Sequence, residues 1–226
     1  TAGRLFPGLL GLVLSVFVIP VEAQDDPAPP AAPAAPTVDA TGPQEMIERG
    51  RAAFAANDFA TAEEALQTFV EEYGEAEEAK QAVRVFTPMI AICKVGLQKF
   101  DEALVWIEKS FADPDLPASV KDELSFWKGI ALMTQDQLVE AQHAFGAYWA
   151  DESHQPVKRY EALVLFATLY LQQGFPLEAA DFLATQIPKI ADTAPEAASR
   201  AVELQLYSLL EADELDRALA LVRAQY

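Results

Sequence analysis

NDFATAEEAL at residues 57–66 and QKFDEALVWI at residues 98–107 decide the fold of this chain, because they are two copies of one phrase. The phrase returns as QDQLVEAQHAF at 135–145, GFPLEAADFL at 174–183 and ADELDRALALV at 212–222. Each copy contains a turn, a large apolar residue, a small alanine about three residues later and another apolar residue four residues on. Self-similarity at a fixed period is typical of a solenoid whose repeats pack on their neighbours.

The shared alanine sets the period of the repeat. Its copies are 41, 38, 38 and 39 residues apart, at Ala62, Ala103, Ala141, Ala179 and Ala218. From Pro43 onward apolar residues recur at helical spacing, and the alternation typical of strands is scarce. Prolines fall mostly between the periodic segments, where helices end. The chain is therefore predicted to be all-α, a solenoid of about five antiparallel helix pairs.

The five phrases resemble the second-helix signature of the tetratricopeptide-repeat (TPR) family, and the resemblance covers residues 44–226. It departs from the family where a tryptophan is expected early in each first helix, and the closing proline is matched only approximately, by Pro117 and Pro156. The resemblance implies a right-handed superhelical solenoid in which the first helix of each pair lines a concave groove. The small residues at the helix crossing are matched by Gly50, Ala91, Gly129 and Ala167, and the turn residue by Phe59, Phe100, Leu138, Pro176 and Leu215.

The groove positions of the TPR family, carried onto this sequence, imply a strongly apolar partner-binding surface. An apolar groove suits an amphipathic helix laid along it. The alternative is that the same surface is buried within the molecule. The Lys and Asn residues with which certain TPR proteins hold a terminal carboxylate are missing here, so that mode of recognition is not expected. The implied groove residues are Ile47, Arg51, Phe54, Ile92, Val95, Phe126, Ile130, Met133, Val164, Leu171 and Tyr207.

Residues 1–23 are predicted to be a secretory signal peptide. The apolar run LFPGLLGLVLSVFVI at 5–19 follows Arg4 and precedes a small-residue site, with cleavage expected after Ala23. An uncleaved membrane anchor is the alternative, since a spanning helix needs roughly 20 apolar residues. In that case membrane contact is expected through this segment alone.

A linker and a repeat domain are predicted after the signal segment. Residues 24–43 are rich in proline and alanine and have almost no large apolar side chain, so a disordered linker is expected. The repeat domain is predicted at residues 44–226 and ends in an apolar helix without a polar cap, whereas solenoids normally end in a polar face. More repeats or another domain are therefore expected beyond Tyr226, and the start at Thr1 indicates a fragment.

Charge and cysteine content exclude several classes of function. The chain has 35 acidic and 16 basic residues, a net charge of −19, which argues against nucleic acid because that binding needs Lys and Arg at the phosphates. Cys93 is the single cysteine, so an internal disulfide is impossible. A buried place in a helix core is expected for it.

No residues with the spacing of a catalytic, cofactor or metal site are found. His143 and His154 lack a second ligand at metal spacing and are expected at the surface. Paired carboxylates could serve a helical-hairpin glycosidase. The acidic residues, however, lie at predicted helix ends and turns, where solvated carboxylates are normal. They are Glu71, Glu72, Glu75, Glu77, Glu78, Asp113, Asp115, Asp151 and Glu152.

These observations lead to one functional prediction and one alternative. The chain resembles extracytoplasmic bacterial TPR proteins, and the resemblance implies an exported, periplasmic or otherwise extracytoplasmic scaffold that binds a protein or peptide. It is not expected to be an enzyme. The alternative is the helical part of a larger envelope enzyme, or a helical-hairpin glycosidase.

Overall fold

The computed structural model describes residues 42–154 and 156–225, which form ten α-helices and contain no strand. The predicted signal segment and nearly all of the predicted linker lie outside the described residues. A short 3₁₀ turn at Glu77–Ala79 leads into the third helix. The helices are α1 (Pro43–Ala55), α2 (Phe59–Tyr73), α3 (Lys80–Gly96), α4 (Phe100–Phe111), α5 (Ala118–Thr134), α6 (Leu138–Ala150), α7 (Pro156–Gln172), α8 (Pro176–Ile190), α9 (Pro195–Glu211) and α10 (Leu215–Gln225).

Consecutive helices pack as five antiparallel pairs, from α1–α2 to α9–α10. The second helix of each pair packs on the first helix of the next pair. The first helices α3, α5, α7 and α9 also contact one another in succession, so they form one layer of the solenoid. The predicted all-α architecture of helix pairs is confirmed. Among the described helices, none is long and apolar enough to cross a membrane.

Burial confirms the repeat register predicted from the alanines. The five shared alanines are all buried, the last of them Ala218 at 4% exposure. In the first four pairs the apolar residue four positions later is fully buried as well, at Leu66, Ile107, Phe145 and Leu183. These side chains hold the second helix of a pair against both the first helix and the next pair.

Two glycines explain how closely the helices of a pair approach. A Cβ atom at Gly50 would lie 2.4 Å from Cδ2 of Leu66, and one at Gly129 would lie 2.7 Å from Cε1 of Phe145. Alanine fills the matching positions of the second and fourth pairs, at Ala91 and Ala167, and both are fully buried. The predicted role of these small residues at the helix crossing is confirmed.

The same turn closes all five pairs. One residue in each turn has a left-handed backbone, with φ between 58° and 83°. The next amide donates to the carbonyl five residues back, for example Asp58 N to Ala53 O at 2.9 Å and Lys99 N to Lys94 O at 2.8 Å. This is the Schellman arrangement, which satisfies the last carbonyls of a helix. The left-handed residues are Asn57, Gln98, Asp136, Gly174 and Asp213.

We expect Gln98→Gly to raise the free energy of unfolding by up to about 1 kcal/mol. A left-handed backbone destabilises the folded state by roughly 1–2 kcal/mol when the residue has an ordinary side chain, and glycine removes this strain. Part of the gain is lost because glycine also increases the conformational entropy of the unfolded chain. Urea denaturation followed by circular dichroism measures the difference. Asn57→Gly is the matched control and should change little, because Asn tolerates this conformation. A loss of stability in Gln98→Gly would contradict the strain argument.

Pro88 lies inside α3 without dividing it. The helix runs unbroken from Lys80 to Gly96. Beside the proline, the hydroxyl of Thr87 donates to the carbonyl of Val83 at 2.8 Å, so one carbonyl of this turn has a side-chain partner. The helix therefore continues past Pro88 as one helix of 17 residues.

Candidate functional site

The structure separates the eleven predicted groove residues into two groups. Ile92, Val95, Phe126, Ile130 and Met133 are at most 8% exposed. Phe126, for example, packs on Phe145 and Tyr148 of α6, the second helix of its own pair. These five side chains therefore have little exposed surface in this arrangement, and partner binding by them stays a prediction. The other six keep exposed surface, and partner binding by them stays a prediction: Ile47, Arg51, Phe54, Val164, Leu171 and Tyr207.

Three of these six lie together on α1, near one end of the solenoid. The guanidinium carbon of Arg51 lies 5.4 Å from the ring centroid of Phe86. Phe54 meets Phe59 edge to face at 6.3 Å, and Ile47 packs partly against the cluster that contains Phe86. Their side chains are thus largely engaged by the chain itself. Val164, Leu171 and Tyr207 lie on α7 and α9, apart from this group.

Aromatic rings pack around Phe126 where α5 meets α6. Phe126 contacts Trp127, Phe145 and Tyr148, with ring centroids 5.6, 5.8 and 5.5 Å away. Lys158 Nζ lies 6.0 Å from the centroid of Phe126, so a cation covers the ring. This packing explains why Phe126, one of the groove residues that the resemblance implies, is buried.

Ion pairs join the first helices of successive pairs from α5 to α9. Glu123 accepts a hydrogen bond from Trp127 Nε1 at 2.7 Å and is paired with Lys158. Farther along, Arg200 Nη2 lies 3.9 Å from Glu161. Burial raises the pKa of Glu161, although Arg200 and Lys158 oppose this shift. These two ion pairs link successive first helices, since Glu123–Lys158 joins α5 to α7 and Glu161–Arg200 joins α7 to α9.

An exposed apolar surface lies at the other end of the solenoid, on α9 and α10. We name Leu210, Leu215, Leu219 and Val222 the terminal face; their exposure ranges from 37% to 59%. Val222 corresponds to Phe145 and its fully buried equivalents in the earlier pairs. Leu210 corresponds to the buried Val95 and Met133 and to the half-buried Phe54 and Leu171. The terminal face thus includes one position, that of Val222, which is fully buried in every earlier pair.

The rim of the terminal face is acidic. Five exposed carboxylates lie on α9, α10 or the turn between them. Arg217, also on α10, is engaged by Asp181 at 2.6 Å, and Arg223 is exposed beside Val222. A surface with an apolar centre and an excess of carboxylates around it favours a basic amphipathic partner. The five carboxylates belong to Glu196, Glu203, Glu211, Asp213 and Asp216.

A buried charge network joins the first two pairs, and sequence reasoning missed it. Lys94 Nζ lies 2.5 Å from Glu63 Oε1 and 2.5 Å from Glu102 Oε2, and its side chain is 1% exposed. Lys99 Nζ lies 2.6 Å from the second oxygen of Glu63. Burial would raise the pKa of Glu63, but the hydrogen bonds from the two lysines outweigh it and the pKa is lowered. A lysine within the apolar run AICKV (91–95) was the available signal.

The two histidines differ in their surroundings. His143 is exposed as predicted. The side chain of His154 is 7% exposed, so its predicted surface position is wrong. Its ring stacks on Tyr148 with centroids 4.0 Å apart, and Nδ1 lies 3.4 Å from Asp122. His154 therefore ties the end of the third pair to the start of α5.

The remaining predicted residues offer no reactive centre in the part of the chain that the structure describes. Cys93 is buried as predicted, and burial raises the pKa of its thiol to about 12. Arg84 Nε lies 2.7 Å from Asp113, and its hydrogen bond lowers the pKa of that carboxyl. The described residues contain no group of side chains that could hold a metal ion. The other acidic candidates are exposed: Glu71, Glu72, Glu75, Glu77, Glu78, Asp115, Asp151 and Glu152.

Two solved structures share this arrangement of helices. Both are of a kinesin light chain-like protein from Podosopora anserina with nearly identical TPR-like repeats, and one is a single-substitution variant. Each aligns with a TM-score of 0.62 and 16% sequence identity, over 80% of this chain and 91% of the other. No family model matches the chain, and neither does any curated protein. The fold is TPR-like, which confirms the resemblance at the level of architecture.

Proposed function

We propose that this chain is an exported, non-catalytic scaffold of the bacterial cell envelope that binds a protein or peptide partner. The candidate contact surface is the terminal face, where Val222 is 37% exposed although its equivalents Leu66, Ile107, Phe145 and Leu183 are fully buried. The TPR-like fold supports a role in protein–protein interaction. The signal-like segment at residues 1–23 supports export.

The chemistry of the terminal face defines the partner helix. In the four preceding pairs the equivalent surface receives the first helix of the next pair. A helix with apolar residues at i, i+3, i+4 and i+7 would repeat that contact and remove the apolar side chains from water. The carboxylates of the rim favour Lys or Arg on its flanks. The proposed partner segment for the terminal face is thus a basic amphipathic helix.

The geometry of the carboxylates supports a non-catalytic role. A general acid for glycoside hydrolysis needs a raised pKa and a second carboxylate across the scissile bond. Asp113 has a lowered pKa because it is hydrogen-bonded to Arg84. Glu161 has a raised pKa, but Arg200 lies beside it. These surroundings are typical of structural ion pairs.

Site-specific photo-crosslinking in the producing bacterium tests the proposal. A photoreactive residue at position 222 of the full chain should crosslink to one extracytoplasmic protein, and the crosslinked peptide should come from a basic amphipathic helix. Leu215→Glu with Leu219→Glu should reduce this crosslink about tenfold or more, because two charges would enter an apolar contact. The matched control is Val105→Glu with Val139→Glu, which changes exposed valines on α4 and α6.

Three results would overturn the terminal face as the contact surface. One is a crosslink within the same chain, which would show that its own following repeat covers this face. The second is equal crosslinking from position 222 and position 105, which would indicate chance encounters. The third is a crosslinked peptide from an acidic or extended segment. Cell fractionation tests export separately: the full chain should be extracytoplasmic, and a chain lacking residues 1–23 should stay in the cytoplasm. A full chain found in the cytoplasm would contradict the envelope location.

A further inference from the structure

A cleft of about 410 Å³ lies where the end of α6, the start of α7 and the end of α8 meet. It is remote in sequence from the terminal face. We name it the Arg159 cleft; its lining includes Trp149, Glu152, Arg159, Tyr160, Lys189 and Ile190. Two cations and one carboxylate make it locally basic, although the chain carries a net charge of −19. Its volume is within the range of about 300–1,000 Å³ typical of ligand sites.

The guanidinium of Arg159 is held in a fixed position. Its Nε donates to the carbonyl of Trp149 at 3.0 Å, and its carbon lies 4.8 Å from the ring centroid of Trp149 and 5.7 Å from that of Tyr160. One nitrogen is thereby engaged, while Nη2 is 4.0 Å from Glu152, a side chain that is 88% exposed. An exposed partner at this distance competes weakly. The terminal nitrogens can therefore donate in parallel to a carboxylate, the geometry that arginine favours.

A second cleft offers a comparison, because it also holds an arginine at its edge. It has a volume of about 230 Å³ and lies at the corresponding place, between the end of α2, the start of α3 and the end of α4. Its arginine, Arg84, lies one position away from that of Arg159 in the repeat register, and it donates to Asp113 at 2.7 Å and to Asp115 at 2.9 Å. The chain thus offers this arginine two carboxylates one residue apart, and Asp113 and Leu116 of that segment line the cleft. The buried Leu116 follows them directly.

We propose that the Arg159 cleft binds an acidic segment of a partner, with two carboxylates separated by one residue and followed by an apolar side chain. One carboxylate would pair with the terminal nitrogens of Arg159. Lys189, exposed at the end of α8, would hold the other, and the apolar side chain would lie against Ile190. The site does not depend on the terminal face, so it goes beyond the function proposed above.

The chain itself supplies the probe, a blocked peptide with the sequence ADPDLP of residues 112–117. Titrated into the purified full chain, it should shift the indole N–H resonance of Trp149 in a saturable way. The peptide ANPNLP, uncharged but of the same shape, should bind at least about tenfold more weakly, because it removes charge-assisted hydrogen bonds. Higher salt should weaken the acidic peptide and leave the uncharged one unchanged.

Substitutions in the chain test where the acidic peptide binds. Arg159→Gln should weaken the acidic peptide about tenfold, and Arg159→Lys should not restore it, since lysine cannot donate in parallel or stack. Arg84→Gln is the matched control and should have no effect. Should Arg159→Gln fail to fold by circular dichroism, Lys189→Gln serves in its place, because Lys189 is exposed. Equal affinity for the two peptides, or equal losses in Arg84→Gln and Arg159→Gln, would overturn the proposal.

Discussion

Replacing Glu63 with alanine is expected to lower the free energy of unfolding by about 3–5 kcal/mol, the usual effect of removing one partner of a buried ion pair. The ammonium of Lys94 would then stay in the core with Glu102 as its remaining anionic partner, and the Glu102 side chain is 59% exposed. Desolvation of this cation is costly when its partner is lost. Urea denaturation at neutral pH, followed by circular dichroism, measures the change.

The neighbouring pair Arg49–Glu64 supplies the matched control. Its atoms are 3.0 Å apart, but both side chains are largely exposed. Glu64→Ala should therefore cost at most about 1 kcal/mol. If Glu63→Ala were as mild as Glu64→Ala, burial would not be the source of the effect. Replacing both Glu63 and Lys94 with leucine should recover much of the loss, because apolar pairs often substitute for buried ion pairs.

The pH dependence of the free energy of unfolding is an independent test of the contribution of Glu63 to the same network. The pKa of Glu63 is lower in the folded chain than its ordinary value of 4.5. The stability that this shift contributes is present above the ordinary value and is lost as the pH falls through the folded pKa. Wild type should thus lose stability on acidification below about pH 4.5, and Glu63→Ala should lack this part of the acid dependence.

The second large effect is expected for Phe145→Ala, which should cost about 3–5 kcal/mol through loss of apolar burial and the cavity that remains. The ring of Phe145 is fully buried, close to Gly129, and packs edge to face on Phe126. It connects the two helices of the third pair with the pair that follows. Denaturation of the purified chain, with its midpoint and slope, measures the loss.

Phe175→Ala is the matched control for Phe145→Ala. Phe175 is 47% exposed, so removing its ring should cost well under the core value, about 1 kcal/mol or less. Similar losses in the two variants would show that Phe145 is not a core residue. A partial rescue is also available: Gly129→Ala introduced together with Phe145→Ala would fill some of the cavity and add helix propensity of about 1 kcal/mol.

The repeat register could be predicted from the sequence because it depends on local pattern. A small alanine, a turn and a large apolar side chain recur at a nearly constant interval, and each is enforced by contact with an adjacent helix. The identical geometry of the five turns could not be predicted from the sequence, since Gly174 is the single glycine among the five left-handed residues. Composition cannot identify a left-handed position that is filled by Gln or Asp.

The candidate surfaces were harder to predict because they depend on distances between helices. The resemblance implies that Phe126, Ile130 and Met133 face a groove, yet here they are buried, and Phe126 packs on Phe145 of the neighbouring helix. Lys94 was missed because lysine is rarely buried. Residues from three different helices line the Arg159 cleft, so no local spacing pattern in the sequence predicts it.

The repeated turn also has a kinetic consequence. Because every pair is closed by its own local hydrogen bonds and packs mainly on its neighbours, most contacts join residues that are near in sequence. Such low contact order is associated with fast folding. A chain that emerges amino terminus first, from a ribosome or from a membrane channel, can therefore complete each pair before the next has emerged, so that folding proceeds vectorially.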